Sequence, residues 1–197
     1  MIDVALAILA GGEGSRMGFP KGEMRPGGRP ILPLLLERFD WPGPTLLVTA
    51  PGREHPTGWE LFSRECVDPQ PGQGPLRGLL TALENTPVPH VVVTAVDMPG
   101  IGRPQLECVG RELRTWPGVV GIMLREGHGA AGRVQPFPSA FRIQAAPLVR
   151  RMLETNHRSL HGLLDDASIL ALDAPAEWGE EVWTNVNTPE DLGALEE

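Results

Sequence analysis

The stretch Leu9-Ala-Gly-Gly-Glu-Gly-Ser-Arg-Met-Gly-Phe-Pro-Lys21 follows directly on the apolar run Val4–Leu9. The run predicts a buried β-strand, and the residues after it predict a loop whose backbone can adopt positive φ and approach a ligand closely. Such a loop presents backbone N–H groups to an anion, and Arg16 and Lys21 add positive charge beside them. We therefore expect a polyphosphate site here, built on the glycines Gly11, Gly12, Gly14 and Gly18.

Two common phosphate-binding loops do not match this stretch. The dinucleotide pattern GxGxxG, begun at Gly12, would need glycine in place of Met17, and a P-loop would need Ser or Thr where Gly22 follows Lys21. Lys21 is also the only lysine in the chain, against 16 arginines, which favours a compact ammonium over a planar guanidinium at this position. A glycine-rich turn that only makes a tight connection is the alternative.

Composition narrows the class of protein. A chain of 197 residues with 41% hydrophobic content suits one domain with a sizeable core. The sequence contains no apolar run approaching the ~20 residues of a membrane span and no basic signal-peptide start, so we expect a cytoplasmic protein that does not bind membranes. Cys66 and Cys108 are far apart and outside any CxxC pattern, which argues against a disulfide framework or a structural zinc site.

The distribution of charge argues against a nucleic-acid surface. The net charge is −8, and residues 165–197 contain ten acidic residues and no Lys or Arg. Residues 1–30 instead carry four basic residues against three acidic ones. An anionic ligand must therefore be held by local charges near the glycine loop, and binding to nucleic acid is not expected.

Apolar segments alternate with helical patterns along the chain and predict a doubly wound, three-layer α/β/α sandwich in a single domain, residues 1–197. Strands are expected at residues 4–9, 45–50, 64–67, 91–96, 119–124, 139–143, 168–172 and 182–186. Helices are expected at residues 31–39, 74–85, 105–115, 147–155 and 159–165, with a short C-terminal helix that Thr188 caps.

Two aspartates directly follow predicted strands. In an open parallel sheet, ligands bind at the carboxyl ends of the strands, so the glycine loop, Asp68 and Asp97 should emerge on one edge. Mg²⁺ takes one or two carboxylates together with phosphate oxygens and water, which makes Asp97 a candidate metal ligand beside a polyphosphate. A turn residue that caps the next helix is the alternative for Asp97.

Four motifs in order resemble the molybdenum cofactor guanylyltransferases, which join GTP to molybdopterin. The motifs are Leu9-Ala-Gly-Gly12 with Arg16-Met-Gly18 and Lys21, then Gly74-Pro-Leu-Arg-Gly78, Val96-Asp-Met-Pro99 and Asn185-Val-Asn-Thr-Pro-Glu-Asp191. The resemblance spans nearly the whole chain. It implies a mostly parallel, Rossmann-like sheet of the nucleotide-diphospho-sugar transferase type, with a nucleotide-binding half at about residues 1–100 and an acceptor-binding half at about residues 101–197.

The resemblance also implies roles for individual residues. Backbone groups of the glycine loop would hold the guanine and phosphates, Lys21 would contact the phosphates, Asp68 the nucleoside, and Asp97 both the nucleotide and Mg²⁺. Gly11 favours GTP, since the related cytidylyltransferases usually carry alanine there. The loop residues concerned are Leu9, Ala10, Gly11, Gly12 and Gly14.

On the acceptor side, the resemblance places Asn185 and Asn187 near the pterin, with Asn187 as an alternative metal ligand. Residues 132–142, which include Gln135, mix apolar and basic side chains that could line the acceptor pocket; Phe137 and Phe141 could equally belong to the core. Transient contact with cofactor-biosynthesis proteins or target molybdoenzymes is also implied.

The chain departs from the family in one place. Family members often carry an asparagine just after the second strand, and here Thr49-Ala50-Pro51 offers no such amide. Either another residue replaces it or the base specificity differs.

The reaction that the resemblance implies is attack by an acceptor phosphate oxygen on the α-phosphorus of GTP, with pyrophosphate leaving. Asp97 would hold Mg²⁺, while Lys21 and Arg16 would offset the charge that builds on the pyrophosphate. The alternatives are a cytidylyltransferase, a sugar-phosphate nucleotidyltransferase and a non-catalytic nucleotide-binding partner. A metal site at His157 and His161, four residues apart, is a further hypothesis, but the sequence shows no third ligand.

Overall fold

A computed structural model describes residues 3–12, 14, 17–127, 129, 132–188 and 190–191. Seven strands lie within these residues: β1 (Val4–Leu9), β2 (Thr45–Thr49), β3 (Arg64–Val67), β4 (His90–Ala95), β5 (Gly121–Glu126), β6 (Arg133–Arg142) and β7 (Ile169–Asp173). The α-helices of the same residues are α1 (Ile31–Phe39), α2 (Gly74–Asn85), α3 (Arg103–Thr115) and α4 (Ala146–Glu154). Short 3₁₀ helices lie at Lys21–Glu23, Pro26–Gly28, Trp59–Leu61, Ile143–Ala145, Leu160–Asp165 and Glu180–Trp183.

The strands form one sheet in the order β3-β2-β1-β4-β6-β5-β7. Strand β6 is antiparallel to β4 and β5, and the other pairs are parallel. β1 and β4 lie side by side in the interior of the sheet and are almost entirely buried, which explains their continuous apolar runs. The carboxyl ends of β1, β2, β3 and β4 therefore meet on one edge.

The helices cover both faces of this sheet. The crossover from β1 through α1 to β2 runs in one direction along the sheet, and the crossover from β3 through α2 to β4 runs in the other. Because such crossovers are right-handed, α1 and α2 lie on opposite faces. Helix α3 packs with α1, and α4 packs with α2. This arrangement confirms the prediction of a three-layer α/β/α sandwich with a mostly parallel sheet.

The structure corrects several predicted elements: the helix expected at residues 159–165 is a 3₁₀ helix, and the strand expected at residues 119–124 is Gly121–Glu126. The strand expected at residues 182–186 is wrong: Glu180–Trp183 forms a 3₁₀ helix, and residues 184–187 are irregular. The neighbouring side chains of Val182 and Trp183 are both buried, a pattern that a half-exposed strand with alternating faces does not produce. The strand expected from residue 139 begins earlier, at Arg133.

The two cysteines lie in the interior, and Thr188 caps the C-terminal helix as predicted. Cys66 and Cys108 are buried and free, and burial raises the pKa of both thiols. Thr188 Oγ1 accepts a hydrogen bond from the Asp191 backbone N–H at 3.2 Å, as expected of a helix cap, and the helix beyond residue 191 lies outside the described residues. No helix in the described ranges has both the length and the apolar character that crossing a bilayer requires.

Candidate active site

A cleft of about 480 Å³ opens at the edge where the strands of the amino-terminal half end. Its walls come from the glycine loop, the segment after β2, the loop after β3, the start of α2, the turn after β4, the start of β6 and the C-terminal segment. The charged side chains that line it are Lys21, Arg53, Asp68 and Asp97. The cleft therefore lies where the strand order predicts a ligand site in an open α/β sheet.

Lys21 and Asp97 meet in this cleft. Lys21 begins the 3₁₀ helix that follows Pro20, and its Nζ donates hydrogen bonds to Asp97 Oδ2 and, at 2.7 Å, to Asn187 Oδ1. The side chains of Lys21 and Asp97 are only 18% and 14% exposed, so water screens their attraction less than at an open surface. The ammonium thus joins the glycine loop, the end of β4 and the C-terminal segment.

Backbone and carboxylate contacts hold the C-terminal segment against Asp97. The Val186 N–H donates to the Asp97 carbonyl at 2.8 Å. Asp191 Oδ2 accepts from the N–H groups of Asn187 at 2.8 Å and Thr188 at 2.9 Å, and these backbone hydrogen bonds lower the pKa of Asp191. Asn187 is therefore placed by its own backbone as well as by Lys21.

The glycine loop leaves the sheet between β2 and β4. The Ala10 N–H donates to the Val48 carbonyl at 2.8 Å, and the Leu9 carbonyl accepts from the Val96 N–H at 3.1 Å. Gly14 has φ of 57°, and a Cβ there would lie 2.0 Å from the Phe19 carbonyl oxygen. Only glycine fits this turn, and the turn carries the chain back toward Lys21. Arg16 lies outside the described residues.

Asp68 lies at the carboxyl end of β3, on the other side of the cleft. Its N–H donates to the Thr49 carbonyl at 2.9 Å, and its Oδ1 accepts from Thr81 Oγ1 of α2 at 2.5 Å. Burial raises the pKa of Asp68, and the Thr81 hydrogen bond and the Arg77 charge offset only part of that rise. Asp68 is therefore a partly buried acceptor that helix α2 holds in one orientation.

Some of the residues predicted to bind the acceptor line the cleft, and others lie elsewhere. Gln135, Phe137 and Asn185 line the cleft, whereas Phe141 is fully buried in the core. Gln135 Nε2 donates to Glu126 Oε2 at 2.6 Å, and Asn185 Nδ2 lies 3.4 Å from the Trp183 carbonyl oxygen. These contacts orient both amides beside the cleft.

The histidine hypothesis has no support among the described residues. His161 Nε2 lies 2.9 Å from the Val134 carbonyl oxygen, and His157 Nδ1 lies 3.0 Å from Thr155 Oγ1. Within the described ranges, no three His, Cys, Asp or Glu side chains come together as a site with three such ligands. Both rings instead make ordinary hydrogen bonds.

A family model described as a MobA-like NTP transferase domain matches residues 6–171. The chain belongs to this family. The match confirms the resemblance that the four motifs carry.

Two relatives of this MobA-like NTP transferase align over nearly their full length. A protein of Deinococcus radiodurans named probable molybdenum cofactor guanylyltransferase is 30% identical over 202 residues, which cover 99% of this chain and 95% of the relative. A protein of Mesorhizobium japonicum named molybdenum cofactor guanylyltransferase is 29% identical, over 96% of this chain and 93% of the relative.

Solved structures share the fold of this MobA-like NTP transferase. Molybdopterin-guanine dinucleotide biosynthesis protein A from Archaeoglobus fulgidus matches with a TM-score of 0.78 at 24% identity, over 98% of this chain and 96% of that one. A 2-C-methyl-D-erythritol 4-phosphate cytidylyltransferase from Thermus thermophilus matches with a TM-score of 0.67 at 20% identity, over 96% of each chain. These likenesses confirm the predicted Rossmann-like sheet.

Sequence reasoning missed Arg53 in this MobA-like NTP transferase. Arg53 follows β2, lines the cleft, and donates from Nη1 to the Gly12 carbonyl at 3.2 Å. The sequence did contain a clue, because Arg53 is a cationic residue just after β2, and β2 ends at the edge of the sheet where the cleft opens. The polar side chains of Gln70 and Gln73, which also line the cleft, were missed in the same way.

A glycine-to-alanine change in the turn after β4 tests how the C-terminal segment is held. A Cβ at Gly100 would lie 1.9 Å from the Glu181 carbonyl oxygen, and the buried Val182 and Trp183 prevent that backbone from moving away freely. We expect Gly100→Ala to lower the unfolding free energy by about 1–3 kcal/mol, measured by urea denaturation. Activity should fall too, since Asn187 follows this segment.

The matched control for this change is Gly118→Ala. No heavy atom lies within 4 Å of a Cβ at Gly118, so this variant should keep both stability and activity. Equal stability of the two variants would contradict the proposed docking of the C-terminal segment against the turn.

Proposed function

We propose that this protein transfers GMP from GTP to molybdopterin and releases pyrophosphate, forming the guanine dinucleotide form of the cofactor. One observation carries the proposal: Lys21, Asp97 and Asn187 meet at the open end of a glycine loop, in a chain that aligns end to end with proteins named molybdenum cofactor guanylyltransferase. The loop supplies backbone donors, and the three side chains supply charge and oxygen ligands.

The donor set at this point suits Mg²⁺. Asp97 provides a carboxylate and Asn187 a carboxamide oxygen within hydrogen-bond reach of one ammonium, and both are the hard oxygen ligands that Mg²⁺ prefers. Since Mg²⁺ completes its shell with phosphate oxygens and water, one carboxylate on the protein is enough. We infer that Asp97 holds the metal, with Asn187 beside it. The bound ion supplies Lewis acidity and neutralises phosphate charge.

The rest of the mechanism is positioning and electrostatics. A phosphate oxygen of the acceptor forms a bond to the α-phosphorus of GTP as the bond from that phosphorus to the bridging oxygen of pyrophosphate breaks. In this proposal Lys21 turns from Asp97 toward the phosphates and offsets the negative charge on the leaving group. Arg16, on the same loop, is proposed to contribute charge.

The cleft offers no cysteine as a covalent nucleophile. Neither Cys66 nor Cys108 lines it, and both are buried with a raised pKa. Direct transfer between the two bound substrates is the reaction that we propose. The cleft must hold both substrates at once, with the reacting oxygen aligned on phosphorus.

The two substrates are proposed to occupy different halves of the chain. The nucleotide would lie along the glycine loop, with its base toward Asp68, in the half formed by about residues 1–100. The acceptor would lie toward Gln135, Asn185 and Asn187, in the half formed by about residues 101–197. The cleft supports this division, because its lining includes both sets of elements.

We also place this reaction in the cytoplasm. Transient contact with cofactor-biosynthesis proteins or target molybdoenzymes stays a prediction, and it would give the product a route to its users.

The proposal is tested by ligand-dependent thermal unfolding with GTP, CTP and ATP, each with Mg²⁺. We expect GTP alone to raise the Tm strongly, since a ligand at 100 times its Kd stabilises the folded state by about 2.7 kcal/mol. EDTA should reduce the effect, and incubation with GTP and molybdopterin should release pyrophosphate. Stabilisation by CTP and not by GTP would instead identify a cytidylyltransferase, and binding without turnover would identify a nucleotide-binding partner.

A further inference from the structure

The cleft has two ends that differ in chemistry. Asp97 follows β4, and with Lys21 it forms the end suited to a metal and phosphates. The other end lies beyond β2 and β3, which are the outer strands on that side of the sheet. Val48, Ala50 and Pro51 give this second end an apolar wall. A planar base fits such a surface, whereas a triphosphate does not.

Two charged groups of opposite sign lie at this second end. Asp68 is next to the end of β2, because its N–H bonds to the Thr49 carbonyl. Its Oδ1 accepts a hydrogen bond from Thr81 Oγ1. Among the described residues, no side chain or backbone group donates to its Oδ2. Arg53 uses Nη1 for the Gly12 carbonyl, and a guanidinium carries further N–H donors. An acceptor and a fork of donors thus border the same apolar wall.

The loop that carries Arg53 is tied to the sheet. His55 stacks on Trp59 with ring centroids 4.3 Å apart, and its Nδ1 pairs with the Glu65 carboxylate of β3. Glu65 is only 8% exposed, and it also accepts from Thr49 Oγ1 at 2.7 Å. These contacts hold His55, two residues after Arg53, against β3. Arg53 itself is exposed, and its hydrogen bond to the Gly12 carbonyl brings the guanidinium to the cleft.

We propose that Arg53 determines base specificity by donating to O6 and N7 of guanine, while Asp68 accepts from its N1–H and N2–H groups. This inference rests on the proposed function and names a residue that reads the base. Arg is well suited to the O6 and N7 pair, because its fork matches two neighbouring acceptors. Adenine and cytosine present an amino group where guanine has O6, so two donors would face each other and stay unpaired.

The same assignment accounts for Ala50. The small Ala50 side chain borders Gly11, since a Cβ at Gly11 would lie 3.8 Å from the Ala50 Cβ. Ala50 and Pro51 then supply part of the apolar wall, and Arg53 of the same loop supplies the charge.

The test compares GTP with 7-deaza-GTP, which lacks only the N7 acceptor, by titration calorimetry with Mg²⁺ and no pterin. We expect the wild-type protein to bind GTP about 2- to 10-fold more tightly than 7-deaza-GTP, the range for one hydrogen bond, because O6 stays available in the analogue. In Arg53→Met the two affinities should become equal, and GTP affinity should fall by at least that factor, because both the O6 and N7 contacts are lost. Affinity for pyrophosphate should stay unchanged.

Arg53→Lys and Arg25→Met complete the set. Arg53→Lys keeps the charge and N–H donors but loses the planar fork, so its preference for GTP over 7-deaza-GTP should be weaker than that of the wild-type protein. Arg25 is exposed, contacts Thr57 Oγ1 at 3.3 Å, and is absent from the cleft lining. Arg25→Met removes a neighbouring charge and should keep the wild-type preference for GTP, which separates direct contact from long-range attraction.

The outcomes separate this inference from the proposed function. If the wild-type protein prefers GTP to CTP and Arg53→Met still prefers GTP to 7-deaza-GTP, the assignment of Arg53 is wrong and the function stands. Equal weakening of GTP, 7-deaza-GTP and pyrophosphate would overturn it as well, because Arg53 would then contact phosphate. A wild-type protein without any preference for GTP would overturn the proposed function itself. If Arg53→Met does not fold, the 7-deaza comparison in the wild-type protein and Arg53→Lys still decides.

Discussion

Asp97→Asn is expected to reduce pyrophosphate release at least about 10³-fold, the loss typical when a centre of transition-state charge stabilisation is removed. Asparagine has nearly the same size and can still accept from Lys21, so the turn after β4 should keep its shape. The lost group is a negative charge, which an amide oxygen does not replace as a Mg²⁺ ligand. Single-turnover assays with saturating GTP and Mg²⁺ measure the effect on chemistry.

The matched control for this variant is Asp40→Asn. Asp40 ends α1 with φ of 39°, a conformation that asparagine tolerates as well as aspartate. Its side chain is 85% exposed and pairs with Arg103, far from any role in the cleft. Asp40→Asn should keep wild-type activity. A fully active Asp97→Asn protein would remove Asp97 from the catalytic assignment.

Lys21→Met is expected to lower kcat about 10²- to 10³-fold, because the ammonium offsets charge on the departing pyrophosphate. Methionine keeps an aliphatic stem where the lysine side chain runs close to Gly12; a Cβ on Gly12 would lie 3.3 Å from Lys21 Cδ. The charge is therefore removed with little change in packing. Steady-state assays over a range of GTP concentrations separate kcat from KM.

A double variant shows whether Lys21 and Asp97 act as one unit. Residues of a shared catalytic centre give strongly non-additive losses, so Lys21→Met combined with Asp97→Asn should be scarcely worse than the more damaging single change. Arg29→Met removes a charge from an exposed pair with Glu37 and should keep full activity. Multiplied losses in the double variant would indicate that the two side chains work independently.

The core of the sheet could be predicted from the sequence because its strands are continuous apolar runs. Residues 4–9 and 91–96 have no polar face to leave in solvent, and both were correctly expected to form strands of a mostly parallel sheet. Residues 133–138 were harder, since Pro136 and Pro138 cannot donate to a β-ladder. The structure accommodates them where the register between β5 and β6 shifts, so that Met123 pairs with Ser139 and Leu124 with Gln135.

The convergence of Lys21 and Asp97 was also predictable, since both follow strands that end on one edge. Their partner Asn187 was expected near the pterin or the metal, and its hydrogen bond to Lys21 was not foreseen. Arg53 was missed because its placement depends on His55, Trp59 and Glu65. Such contacts between side chains of a loop and a neighbouring strand leave no periodic pattern in a sequence.

The ammonium of Lys21 also joins segments that are far apart along the chain. Its two partners lie 76 and 166 residues away along the chain, and bringing such distant segments together costs loop-closure entropy before any contact compensates for it. Pairing of β1 with its neighbours does not require these contacts. We expect GTP binding to recover no sooner than the circular dichroism of the sheet after dilution from denaturant.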